Sequence, residues 1–165
     1  MAHIHSIVYQ PIDQAYGEHL DYYIRVPLQQ ARLIADHGIE GDQKAGHNPM
    51  RQLNLLSREW LTAIQPKGYK TEPGQFGEQI ILADLAVENL EPGTRLQLGN
   101  EASIEITKSR TGCERLELAQ GKSIEGLGAI GVMAKILAGG TISVGDSVTV
   151  IETASSDVSA SSMKV

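Results

Sequence analysis

One cysteine, Cys113, stands among three cations in the segment Ile106-Thr107-Lys108-Ser109-Arg110-Thr111-Gly112-Cys113-Glu114-Arg115-Leu116. A structural cysteine usually sits among apolar neighbours and acts as a small hydrophobe. Cys113 instead follows Thr-Gly at a predicted strand end, with Lys108, Arg110 and Arg115 within five positions. The stretch Glu114 to Ala119 has helical character and places the thiol at or just before a helix N-terminus. Nearby cations and a helix N-terminus both favour a thiolate over a thiol. Spacing alone leaves a reactive or metal-ligating thiol and an inert one both open. A lone cysteine does exclude an intramolecular disulfide and a Cys-rich zinc site, and it suits a reducing compartment.

Two glycine-rich stretches carry the other candidates. Gly38-Ile39-Glu40-Gly41-Asp42-Gln43-Lys44-Ala45-Gly46 mixes glycines with charges and leads into Arg51-Gln52-Leu53-Asn54-Leu55-Leu56. Glu72-Pro73-Gly74-Gln75-Phe76-Gly77-Glu78-Gln79-Ile80 enters a strand with an acidic residue. Lys44, Arg51, Lys108, Arg110 and Arg115 are candidate partners for a phosphate-bearing ligand, arginine being suited to bidentate contacts. Asp42 and Glu78 either hydrogen-bond such a ligand or brace their loops, and bracing is the simpler role. Asn54, on an alternating strand, is a candidate of the same kind.

Other apparent motifs carry less. Gly126-Leu127-Gly128-Ala129-Ile130-Gly131 fits G-x-G-x-x-G, but its lead-in, Gln120 to Glu125, is polar and turn-like. A dinucleotide site needs a buried strand there and a helix to receive the pyrophosphate. These glycines instead suit a mobile loop that approaches another backbone or a ligand closely. His3 and His5 lie two apart on a strand, a spacing that can hold a metal, but no partner is identifiable. His37 and His47 read as loop residues, and no serine sits in a nucleophile elbow.

The elements that must position these residues are short strands separated by turns. Strands are predicted at His3 to Gln10 (Ile4, Ser6 and Val8 on one face), Leu28 to Asp36, Gln52 to Leu56, Gln79 to Leu82, Thr94–Leu98 and Ala102–Thr107. Ser57 is a predicted N-cap for a short helix through Ile64, ended by Pro66 and Gly68. Val132 to Leu137 reads as another short helix. Thr141–Val144 and Ser147–Glu152 read as a hairpin about Gly145-Asp146. About seven strands with two or three short helices point to a mainly β fold, a closed or nearly closed barrel. The strands are too close together for βαβ crossovers.

The chain has 165 residues, 41% hydrophobic and 21% charged, with a formal net charge of −6. That suits one soluble domain with a true core, here residues 1–152, followed by a flexible Ser-rich tail at 153–165. Neither a membrane span nor a signal peptide is evident, so a cytoplasmic protein is expected. A chain of pI about 5.3 is a poor general binder of nucleic acid.

In order and spacing, GIEGDQKAG with RQLNLLS, PGQFGEQI, LEPGTRLQLG, TKSRTGCERL and GVMAKILAGGTISVGDSVTV resemble the MOSC domain, named after the C-terminal region of molybdenum cofactor sulfurases. The match runs from about Gly38 to Val150 and is similar to the small standalone bacterial members. The resemblance implies a β-barrel of the pyruvate kinase barrel type. It also implies a site built on one cysteine, matched by Cys113, that either ligates molybdenum in a pterin cofactor or carries sulfur as a persulfide. Two positions depart from the family pattern. Gln43 stands where many relatives have arginine after Gly-Asp, and Gly112 stands where proline commonly precedes the cysteine.

Three functions are open at this level. The first is a molybdenum-cofactor-binding protein that reduces N-hydroxylated small molecules with a partner electron donor. The second is a persulfide carrier served by a PLP-dependent cysteine desulfurase. The third is a non-catalytic interaction barrel. The sequence shows no flavin, iron–sulfur or PLP site of its own, so either chemical cycle needs a partner protein, and the isolated protein is compatible with bound cofactor or with none.

Overall fold

The computed structural model describes residues 1–12 and 21–152; the expected tail at 153–165 lies outside them. Eleven strands form in chain order: β1 (His3–Tyr9), β2 (Val26–Leu28), β3 (Gln30–Ile34), β4 (Gly38–Ile39), β5 (Leu53–Ser57), β6 (Ile80–Ala83), β7 (Arg95–Leu98), β8 (Ala102–Ser109), β9 (Val132–Ala138), β10 (Gly140–Ser143) and β11 (Val148–Glu152). Two short helices interrupt them, α1 (Arg58–Ile64) and α2 (Glu114–Gln120). The fold is mainly β, as the turn-punctuated sequence requires. No helix among the described residues is long and apolar enough to cross a membrane.

Eight strands make one sheet in the order β11-β7-β8-β9-β5-β6-β1-β2, and β10-β3-β4 make a second. The large sheet curls back on itself: β1 meets the residue just before β11 at one bridge, His3 to Ser147, and Val148 N–H donates to Ala2 C=O at 3.0 Å. The continuous ladder stays open between β11 and β2 among the described residues.

Several expectations are corrected. Val132–Ala138 is a strand, not a helix; it pairs with β5 and β8 and buries Val132, Ala134 and Ile136 at a period of two. The segments around Gly145-Asp146 are not a hairpin, because β10 pairs with β3 while β11 pairs with β7. One crossover does exist: β5 and β6 run parallel, with α1 between them in sequence. Leu28 to Asp36 is broken at Gln29 into two strands belonging to different sheets. In β1 the register slips between Ile4 and Ser6, so Ile4 and Ile7, not Ile4 and Ser6, enter the same core.

The residues predicted to start α1 do so. Ser57 Oγ accepts from Trp60 N–H at 3.2 Å, and Gly68 closes the following turn at φ 90°. All five residues of β5 are buried because both its faces are covered. Leu53 and Leu55 join the main core with Ile80 and Leu82, while Leu56 packs with Ile81, Phe76, Leu61 and Leu116 under the helices. Each such buried aliphatic side chain contributes roughly 1.5–3 kcal/mol. This doubly buried strand is the rigid floor from which the site is built.

Candidate functional site

A cavity of about 670 Å³ opens where five stretches of chain meet. The loop after β4 brings Gln43, Lys44, His47 and Arg51, and the start of β5 brings Leu53 and Asn54. Gly77 and Gln79 come from the turn before β6. Arg110, Cys113 and Arg115 come from the end of β8 and the start of α2, and Tyr22, Tyr23 and Arg25 from the approach to β2.

Buried carboxylates fix the loops beneath. Asp42 Oδ1 accepts from the backbone N–H groups of Gln10 and Lys44, each at 3.2 Å, and Oδ2 accepts from Gln79 Nε2 at 3.4 Å. Glu78 accepts from Gly74 N–H at 2.6 Å and Phe76 N–H at 3.1 Å. Burial pushes the Glu78 carboxyl up, opposed by its backbone donors and by Arg110. Both acids brace loops behind the wall, and neither lines the cavity. Gln79 completes the bracing: its Oε1 accepts from Asn54 N–H at 2.8 Å, and its own N–H donates to Asn54 C=O at 3.0 Å.

The wall itself is cationic. Arg25, Lys44, Arg51, Arg110 and Arg115 line it. Tyr23 organises two of them, with the Arg115 guanidinium 4.3 Å and the Arg25 guanidinium 5.2 Å from its ring centroid. Arg25 also donates to Ile24 C=O at 2.8 Å and Gly77 C=O at 3.1 Å, and Arg115 donates to Tyr22 C=O at 3.1 Å. Gly77, at φ 76°, leaves the space these groups need: a Cβ there would lie 3.0 Å from Tyr23 Cζ and 3.2 Å from Arg110 Nη2. Burial pushes the Tyr23 phenol up, partly offset by Arg110.

Arg110 is only 3% exposed, and its Nη1 has no hydrogen-bond partner among the described residues; Asn54 Oδ1 is likewise buried without one. Burial lowers the arginine's proton affinity, with Tyr23 acting the other way. Its backbone is held on both sides by the glycine-rich loop, Arg110 N–H donating to Gly131 C=O at 3.0 Å and Ile130 N–H to Arg110 C=O at 2.8 Å. Gly131 approaches β5 so closely that a Cβ would sit 2.0 Å from Leu55 C=O, the close backbone approach expected of this loop. Gly126 and Gly128, by contrast, have nothing within 4 Å of such a Cβ.

Cys113 is exposed and is the N-cap residue of α2. At the neighbouring Gly112 a Cβ would displace Ile124 Cδ1, so glycine in place of proline makes room for that side chain. The thiol also borders a shallower groove of about 390 Å³ edged by Glu114, Glu117 and Glu125.

The structure thus brings Lys44, Arg51, Asn54, Arg110, Cys113 and Arg115 to one cavity and leaves Lys108 exposed on β8, outside it. His3 Nδ1 donates to Met1 C=O at 2.9 Å, and no metal-holding cluster of His, Cys, Asp or Glu occurs among the described residues. Sequence reasoning missed Tyr22, Tyr23 and Arg25. Their signal was a tyrosine pair and an arginine in a chain with seven aromatic residues.

The family model for the MOSC domain matches residues 42–149, well over half of the chain and spanning most of these walls. The chain belongs to the MOSC domain family. This family is associated with molybdenum cofactor binding. Among solved structures, the MOSC fold is shared with YiiM from Escherichia coli at 22% identity, over 92% of this chain and 70% of that one, with a TM-score of 0.64. YiiM from Geobacillus stearothermophilus matches at 19% identity, over 92% and 76%, also at 0.64. The YuaD protein from Bacillus subtilis matches at 16% identity, over 90% and 94%, at 0.67. At these identities the likeness is one of fold. A search of curated proteins finds no match.

Proposed function

We propose that this MOSC domain binds a molybdenum pterin cofactor in the 670 Å³ cavity, with Cys113 as a ligand to the metal. The curled sheet, on this reading, is the family's barrel. The observation that carries the proposal is an exposed thiol on the rim of a cavity whose described lining includes five cations and no carboxylate. A phosphate-bearing pterin needs cations, and molybdenum accepts a soft thiolate.

The residues fit the group. Asn54 Oδ1 is a buried acceptor without a partner among the described residues. Leaving such a group unpaired costs on the order of 1–3 kcal/mol, so a ligand with a donor edge, as a pterin has, gains by entering. Lys44 and Arg51, on the loop after β4, would hold the phosphate. Tyr23 keeps Arg25 and Arg115 stacked on its ring, positioned before a ligand arrives. When bound, the cofactor supplies two-electron redox chemistry at the metal. The reaction that follows is reduction of an N-hydroxylated small molecule, with electrons from a partner protein.

Protein purified from a molybdenum-replete host tests this. Wild type should retain molybdenum and pterin in near-equal amounts. Cys113→Ala should lose the metal, and Arg51→Ala should retain roughly ten- to a hundredfold less cofactor at limiting supply, the loss of one charge-assisted contact. Wild type without molybdenum, but heavier by one sulfur atom on Cys113, would favour a sulfur carrier served by a PLP-dependent desulfurase.

A further inference from the structure

The charge of the cavity exceeds what one cofactor phosphate can use. Five cations line it, and two carboxylates, Asp42 and Glu78, lie buried behind the wall. A phosphate monoester brings roughly two negative charges at neutral pH. At least one cation therefore remains beyond those that the phosphate and the two carboxylates compensate. The hydrogen bonds single out which. Arg25 gives both terminal nitrogens to backbone carbonyls and leaves only its Nε buried without a partner among the described residues, Arg115 donates to Tyr22 C=O, and both lie against Tyr23. Lys44 and Arg51 share the loop after β4 and are exposed. Arg110 alone is 3% exposed with an Nη1 that no acceptor among the described residues reaches, and it lies three residues from Cys113 on the same cavity wall. A buried guanidinium with a free donor costs folding energy unless an acceptor arrives from outside. Its place near the thiol puts that acceptor next to the reacting end of the cavity, not at the loop that suits the phosphate.

We infer that the substrate of this site carries an anionic group of its own, bound by Arg110 beside Cys113 and separate from the cofactor phosphate held at Lys44 and Arg51. The inference rests on the molybdenum-pterin reading and adds a substrate class to it: N-hydroxylated molecules bearing a carboxylate or a similar anion. Arg110 acts here as a specificity-determining residue.

The test is calorimetric binding to molybdenum-loaded protein with no electron donor present, so that nothing turns over. The probes are benzamidoxime, which is neutral, and its para-carboxylate. The carboxylate should bind about tenfold more tightly or better, the gain of one charge-assisted contact. Arg110→Gln should bring the ratio close to one. Should that variant fail to fold or to hold metal, Arg115→Gln, at a partly exposed position, should still reduce the ratio by weakening the local positive field. Equal affinities in loaded wild type, or tighter binding of the neutral probe, would overturn the inference while leaving the cofactor reading intact. A wild-type sample that retains no molybdenum would overturn the cofactor reading and this inference with it.

Discussion

Two buried carboxyl groups of the fold make different uses of burial. Glu78 spends both oxygens on backbone donors, whereas Glu88 has one oxygen hydrogen-bonded by Ser57 Oγ and the other buried without a partner among the described residues. Burial pushes the Glu88 carboxyl above its ordinary 4.5, with the Ser57 hydroxyl pulling the other way. The folded chain then binds this proton more tightly than the unfolded chain. Its contribution to stability is complete below the ordinary value and is lost as pH rises through the raised one. Glu88→Gln cannot ionise and keeps an acceptor for Ser57. Its melting temperature relative to wild type should therefore rise between about pH 4 and pH 8. A difference that stays constant over that range would contradict this account. The residue scale is also where the sequence was most informative. Arg110, Cys113 and Arg115 were legible as candidates because cations near a lone thiol are chemically conspicuous, and Lys44, Arg51 and Asn54 because they sit in or just after a glycine-rich stretch that leads into an alternating strand. Lys108 was not separable from them, since only the strand geometry leaves it outside. Tyr23 was missed because its role, holding Arg25 and Arg115 against its ring, exists only once two distant segments meet.

At the scale of elements, legibility followed the strength of local signals. The Ser57 cap, the Gly68 stop and the alternation of β8 were readable because each is set by neighbours in sequence. The misreading of Val132–Ala138 had a physical source. Val-Met-Ala-Lys-Ile-Leu-Ala mixes good helix formers with β-branched residues, and pairing with both β5 and β8 decides the outcome. The false hairpin arose because the turn at Gly145-Asp146 looks local while its flanking strands answer to different sheets. The glycine-rich loop joins this strand to the site, and Gly131 is its critical point. At φ 74° with a Cβ position 2.0 Å from Leu55 C=O, it tolerates no side chain without moving β5 or β9. Gly131→Ala should cost about 2 kcal/mol or more, from left-handed strain plus the clash. Gly126→Ala, also at positive φ but with open space around it, should cost only about 1 kcal/mol. Urea unfolding of the two variants gives the comparison, and equal losses would contradict the proposed contact.

Across the whole molecule, an open ladder curls until β1 meets Ser147, just before β11, at one bridge, and the doubly buried β5 anchors the wall that carries Asn54. The topology brings residues some seventy positions apart, Lys44 and Arg115, to one cavity in a chain of net charge −6. Local concentration of cations against the overall charge is what a small anionic ligand requires. The mainly β class was legible from the spacing of turns, but the parallel β5–β6 pair and the separate β10-β3-β4 sheet were not, because strand partners are chosen by tertiary packing. The central claim, that Cys113 binds molybdenum within this cavity, is tested most directly by X-ray absorption at the molybdenum edge on loaded protein. The account predicts a sulfur neighbour in wild type that is lost in Cys113→Ser at equal metal content, or loss of the metal itself in that variant. An unchanged spectrum with unchanged metal content would contradict it.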